Sequence, residues 1–502
     1  MAMTTETARI FYRFRGTEAL LGDYQELARR EIYFAAPEEL NDPLEGYADV
    51  VWTGDPILWR NLLRHYILVL VWGIAEVAVS TDPFDPSFLK KFVDRTDVDF
   101  EQGPLREVYD TACATFFAAD MVSTWIKGLS DLEVSLSRSE LSGYLRLLHP
   151  VALDAATRAF DEQDFTTPLS LSNFGIIFGE VARRLDELLR THDPADAGRF
   201  DRHWDTETKF IQMDMLRLLA DLPGPSGEGW QLLSSGFPAA YIRAAETLIY
   251  PEWRTACFVT EPNHASMWGV YADGHKGVCL ALKAHVLDNG TPTLRMSGRN
   301  GTTWDQINGE KPLYGDVELA FVPVHYNNDY PPTDFFLNLA SLSQTALDGF
   351  WYADEQGTRS ARAPEAADWD KARRDEYWAL SAQVVSTKLR HWEHEGEHRL
   401  ISYGERVEIA DRKLRYRLED LDGIIFGIKT GDAEKLEIIR TLAAAVAEDD
   451  GAVDSIRFSQ AVFARHKGCI EIKSLDLVNQ SFPRLVAEMR RNIQARASQT
   501  VS

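Results

Sequence analysis

Residues 392–400 read Trp-Glu-His-Glu-Gly-Glu-His-Arg-Leu, WEHEGEHRL. Within this stretch His394, Glu395 and His398 match H-E-x-x-H, the pattern in which one helix face turns two imidazoles toward zinc and a glutamate toward the substrate water. The same letters also read as two acids, Glu395 and Glu397, leading into a strand at Arg399-Leu400-Ile401. The two readings require different local folds. A zinc site needs a continuous helix through both histidines, whereas acids two apart at the start of a strand share one side of a sheet. Gly396 interrupts the motif and RLISY alternates after it, so the strand is preferred. A zinc metalloprotease through His394, Glu395 and His398, with Glu434 or Glu437 as third ligand, is the lesser alternative.

Working outward, DGIIFGIKT (422–430) and CIEIKSL (469–475) read as strands around a helix at 432–449. Upstream, TACFVTE (255–261), KGVCLALK (276–283) and LAFVPVHY (319–326) are short strand-like runs. A helix is predicted from Trp369 to His391, with Trp378, Val385, Leu389 and Trp392 on one face. The N-terminus supplies a strand in RIFYRFR (9–15), a helix over 16–30, and a strand at 31–46 that ends in the Asn41-Asp42-Pro43 turn. From 55 to 249 the periodicity is helical, as in FGIIFGEVARRLDELLR (174–190) and FIQMDMLRLLADL (210–222). The expectation is an α+β protein. Residues 1–54 and 250–475 form a core with a small mixed sheet, 55–249 are an all-helical insertion, and 476–502 are a C-terminal helix or tail.

The 502 residues are 45% hydrophobic, enough for a large core. Acidic residues number 77 against 53 basic ones, a net charge of −24 that disfavours nucleic acid and anionic membrane as partners. Cys113, Cys257, Cys279 and Cys469 are scattered and form no C-x-x-C pair, which fits free thiols in a reducing compartment. Cys257 and Cys279 lie in apolar runs and are read as core residues rather than nucleophiles. The apolar run at 66–79 is short for a bilayer and contains Glu76, so it is read as a buried helix. Met1–Arg9 has no signal-peptide core, and the expected location is cytoplasmic. No nucleotide-binding glycine motif or nucleophile elbow is present.

Several stretches together resemble the domain-of-unknown-function family 2971, a bacterial group without an assigned activity. They are Leu40-Asn41-Asp42-Pro43, Cys257-Phe258, Met267-Trp268 with Tyr271-Ala272, His275 and Gly277, and Trp392, Glu395, Glu397 and Arg399. The resemblance covers roughly 8–50 and 250–475 and leaves the helical block without a counterpart. It implies that the acids and Arg399 recur while the positions of His394 and His398 are usually aromatic, which makes the zinc motif an accident.

The order of these residues is also similar to that of the ADP-ribosyltransferase fold. That similarity implies NAD as substrate. Arg13, beside Tyr12 on the first strand, would hold a phosphate, and Trp268 or Tyr271 would stack on nicotinamide. Glu397 would stabilise an oxocarbenium-like transition state, with Glu395 orienting the acceptor. Asn41 and Asp42 would reach the ribose, while His275 and Arg399 complete the candidate set. Repulsion between Glu395 and Glu397 would raise one pKa. The structural alternatives are an ion pair of one acid with Arg399 or Arg13, core aromatics, an Asx-locked turn at 41–43, and a plain turn at Asp273–Gly277.

Two functions follow as expectations. One is an NAD-using ADP-ribosyltransferase-like or NAD-glycohydrolase effector in a defence or toxin-type role. The other is a non-catalytic sensor or interaction protein whose helical block, 55–249, binds a protein partner.

Overall fold

The computed structural model describes residues 9–81, 84–85, 87–100, 103–132, 134–165, 167–169, 183, 212, 227–305, 309–339, 341–364, 371–404, 409–449 and 456–500. The helices expected over 174–190 and 210–222 lie outside the described residues, apart from Arg183 and Gln212. The protein is α+β and divides into two compact units. The first comprises 1–47, 252–330 and 383–502; the second comprises 48–251 and 331–382.

In the first unit, the strand Ile10–Arg15 lies inside the sheet, with Val278–Lys283 on one side and Trp253–Val259 on the other. Its alternation decides both faces. Phe11 packs into a core with Leu280, Phe321 and Leu400, whereas Phe14 points the other way, against Trp268. The sheet holds twelve strands among the described residues. From Trp253–Val259 it continues through Glu397–Tyr403 to the long hairpin Pro292–Asp305 and Gly309–Pro323. On the far side, Val278–Lys283 is followed by Leu421–Phe426, Arg457–Ala464 and Cys469–Ser474. The sheet is therefore larger than the small one expected. The hairpin is legible only at its end, because in its first strand the alternation is carried by just two buried apolar residues, Leu294 and Met296, among polar residues and glycines. The helices Asp432–Glu448 and Asp476–Thr500 belong to this unit, and Ile438, Leu442, Phe482 and Val486 on them join its core.

The predicted helix Trp369–His391 is shorter than expected. Among the described residues it runs from Lys371 to Val385. Thr387–Leu389 then forms a strand, parallel to His325–Asn327: the β-branched pair Val384-Val385 ends the helix, Thr387 favours the extended backbone, and a partner strand is at hand. Leu389 and Trp392 thus leave the supposed helix face. On the helix Tyr377 is buried, while Trp378 is exposed.

The second unit is built on the helices Pro56–Val79, Pro104–Phe117, Asp120–Ser130, Arg138–Asp161 and Phe237–Ala245. Asp55 caps the first of them by accepting from the N–H groups of Ile57 and Leu58, with Pro56 at the first helical position. That helix is longer than its strongest apolar run. By length and composition it could cross a membrane, but 67% of its most apolar window is buried in the unit. It is a core helix. The expected all-helical character needs one correction among the described residues of 55–249: Leu136–Ser137 is a two-residue strand paired with Asp49–Trp52.

Candidate functional site

The first strand pairs with Val278–Lys283 along its whole length but meets Trp253–Val259 at a single register pair, Tyr12 with Val259. Beyond that pair the strands part. Arg13 fills the gap, its terminal nitrogens donating to the Cys257 carbonyl at 3.3 Å and the Tyr33 carbonyl at 3.2 Å. A cavity of about 410 Å³ opens here. Its wall includes Tyr12, Arg13, Asn41, Tyr271, Glu395 and Glu397, six of the residues singled out from the sequence.

The acids arrive from different elements. Glu395 closes the 3-10 turn Arg390–Glu395, and Glu397 opens the strand Glu397–Tyr403. Gly396 between them is left-handed, with φ of 57°. Glu395 is therefore not on the strand as expected, and no helix runs through the histidines. His394 Nδ1 meets the His391 carbonyl, and His398 packs edge-on against Phe11. Among the described residues no group of three or more His, Cys, Asp or Glu could hold a metal ion.

The two carboxylates converge on Lys388, which the sequence reading missed. Lys388 Nζ lies 2.9 Å from Glu395 Oε2, 2.7 Å from Glu397 Oε2 and 3.4 Å from Glu45 Oε2. Arg399 lies behind them, fully buried and outside the cavity wall. Its Nε is 2.8 Å from Glu397 Oε1, its Nη2 is 2.6 Å from Glu45 Oε1, and its Nη1 donates to the Val385 carbonyl. Burial pushes the Glu397 carboxyl up, but Arg399 and Lys388 outweigh it and hold it at about 2. The expected repulsion between paired acids is thus overturned for Glu397: cations, not the neighbouring acid, set its charge. Burial pushes the Glu45 carboxyl up, against Arg399 and Lys388. Glu395 Oε1 accepts from the Tyr271 hydroxyl at 2.6 Å. Burial and this carboxylate raise the Tyr271 phenol, so it stays protonated and donates.

The remaining candidates separate from the cavity. Asp42 is buried; one oxygen accepts from the Leu44 N–H and locks the turn that presents Asn41 and Glu45. Trp268 is a core residue on the helix Ala265–Tyr271, not on a strand; it donates to the Pro262 carbonyl and meets Phe14 edge-on. It offers no stacking face to a ligand in the cavity. His275 sits in a turn with three consecutive left-handed residues, Asp273, Gly274 and His275. The N–H groups of Gly274, His275, Lys276 and Gly277 donate to the carbonyls of Gly269, Trp268, Asp273 and Ala272, so they are engaged by the preceding backbone and form no phosphate cradle. Cys257, read as core, is part of the wall, and burial followed by Glu397 raises its thiol well above the ordinary range. It is a neutral thiol, not a thiolate nucleophile. All four cysteines are free.

Residues 267–400 match the family model of a protein of unknown function, DUF2971. That match contains Tyr271, Lys388, Glu395, Glu397 and Arg399, the later-sequence part of the ionic cluster. No curated protein and no solved structure matches the chain.

Proposed function

We propose that the first unit is a small-molecule site for a phosphate-bearing ligand of the nucleotide class, with NAD as the leading candidate. The observation that carries this reading is Arg13. Arg13 is 8% exposed and lines the cavity; its guanidinium lies over the Phe258 ring and, among the described residues, hydrogen-bonds only to backbone carbonyls, with no acceptor for Nε–H. A buried cation without a carboxylate is costly unless an anion completes it. The cavity volume falls in the range of ligand pockets.

A transferase or glycohydrolase acting on NAD is the catalytic form of this proposal. It is supported by the convergence of Tyr12, Arg13, Asn41, Tyr271, Glu395 and Glu397 on one cavity. Its acid is reassigned. Both oxygens of Glu397 face Lys388 or Arg399, whereas Glu395 accepts from one neutral hydroxyl and one ammonium. Glu395 is the better anion to set beside developing positive charge. A sensor binds the same ligand without turnover.

The test is calorimetric titration of the full chain with NAD, AMP and inorganic phosphate, with nicotinamide release followed by mass spectrometry. Binding that is lost in Arg13→Met supports the site. Nicotinamide release lost in Glu395→Gln supports the enzyme, and binding without release supports the sensor. No binding of any of the three ligands would remove the proposal.

A further inference from the structure

The charges around the cavity are not balanced where they stand. Among the described residues no carboxylate pairs with Arg13, whose Nε–H has no acceptor although the side chain is more than nine-tenths buried. The opposite imbalance lies two strands away. Three carboxylates, Glu45, Glu395 and Glu397, share two cations, Lys388 and Arg399. When all are ionised, the cluster carries one negative charge in excess. The strand Trp253–Val259 separates the two regions, and two interstrand steps amount to roughly 10 Å. Over that distance the guanidinium does not neutralise the acids by direct contact.

The excess negative charge faces the cavity. Arg399 is enclosed behind the wall, while Glu45, Glu395, Glu397 and Lys388 all line it, three carboxylates against one ammonium, and among them Glu395 is the acid that accepts from a neutral donor, the Tyr271 hydroxyl. A ligand carrying only negative charge would satisfy Arg13 and be repelled by the acid cluster. One carrying only positive charge would do the reverse. We infer that the cavity takes a dipolar ligand, with an anionic group against Arg13 and a cationic group, an ammonium or pyridinium, against Glu395 and Tyr271. This inference rests on the small-molecule reading above and adds the charge pattern of the ligand.

Oxidised and reduced nicotinamide mononucleotide form a suitable pair of probes. Both carry the phosphate, they are nearly the same size, and only the oxidised form has a cationic ring. Calorimetry on the full chain is expected to show the oxidised form binding on the order of tenfold tighter, the scale of one charge contact in a partly screened site. Glu395→Gln should abolish that preference while keeping the affinity for the reduced form, and Arg13→Met should weaken both forms alike. Equal affinity of the wild type for the two forms overturns the inference and leaves the phosphate-ligand reading standing. Failure of both forms and of AMP to bind overturns that reading, and the inference with it. The wild-type comparison decides the matter even if a variant fails to fold.

Discussion

Lys388 Nζ stands 2.7 Å from Glu397 Oε2, with both side chains almost wholly buried. This contact joins the strand Thr387–Leu389 to the start of the strand Glu397–Tyr403, and Arg399 and Glu45 extend it. The first consequence concerns stability. Lys388→Met would leave three buried carboxylates with Arg399 as their remaining cation. Removing one partner of a buried ion cluster costs about 3–5 kcal/mol, because the remaining charges stay desolvated. Urea unfolding of Lys388→Met should show a loss of this size. A loss within about 0.5 kcal/mol, the range of an ordinary surface substitution, would show that the cluster does not hold the fold.

Glu397 adds a pH dependence with a definite sign. Its carboxyl is held at about 2 in the fold, below the ordinary glutamate value of about 4.5, because Arg399 and Lys388 outweigh its burial. The stabilisation is present above about pH 4.5 and is lost as the pH falls through that value toward 2. The full shift corresponds to about 3 kcal/mol. Glu45 works the other way, since its raised carboxyl takes up a proton more readily in the fold. Glu397→Gln should flatten the acid limb of the stability profile below pH 4.5 and lower stability at pH 7. An unchanged acid limb would count against the pairing. The same substitution perturbs folding, so Glu395→Gln is the better functional probe.

Tyr271 is a gentler handle on the site. Its hydroxyl donates to Glu395 from a half-buried position on the cavity wall. Water can replace that donor in Tyr271→Phe, so the stability loss should be about 1 kcal/mol, the net value of one hydrogen bond. The affinity for a ligand in the cavity should fall several-fold. A thermal melt and one titration test both halves. Unchanged affinity would place the ligand away from Tyr271.

What the sequence made legible follows from the range of each interaction. Ile10–Arg15 and Val278–Lys283 are short aromatic or aliphatic runs and RLISY alternates, so all three strands are legible locally. Gly396 decided the opening motif, because one left-handed residue ends the helix that zinc would need. Lys388 was not legible. A lysine next to Leu389 in an assumed helix looks like a solvated charge, and only the pairing of Thr387–Leu389 with His325–Asn327 turns it inward. Glu45 follows the Asn41-Asp42-Pro43 turn and carries no local signal. Its partner Arg399 is more than 350 residues away in sequence, and no local pattern announces such a pair. Trp268 misled for a related reason: an aromatic in a recurring motif can equally be a core residue, and its bond to the Pro262 carbonyl makes it one here.

The second unit makes its own prediction. His65 Nδ1 lies 2.9 Å from the Tyr241 hydroxyl and its Nε2 lies 2.9 Å from the Val93 carbonyl. His149 is held in the same way by the Tyr66 hydroxyl and the Leu233 carbonyl. Burial pushes both imidazoles down, to about 3 and about 4. Both are neutral in the fold, while the unfolded chain takes up protons near pH 6.5. Their contribution is therefore fully present above about pH 6.5 and is lost as the pH falls toward the folded values. Each histidine makes stability fall by about 1.4 kcal/mol per pH unit once the unfolded residue is protonated. The decline should begin well above the window set by Glu397. Unfolding free energies measured from pH 7 to 5 should therefore slope downward in the wild type, and His149→Gln should make that slope shallower whatever its effect on stability at pH 7, the remainder coming from His65 and from His398, which burial also lowers. A flat wild-type profile over this range would mean that the imidazoles are protonated in the fold, and that the tyrosine and carbonyl contacts serve a charged ring.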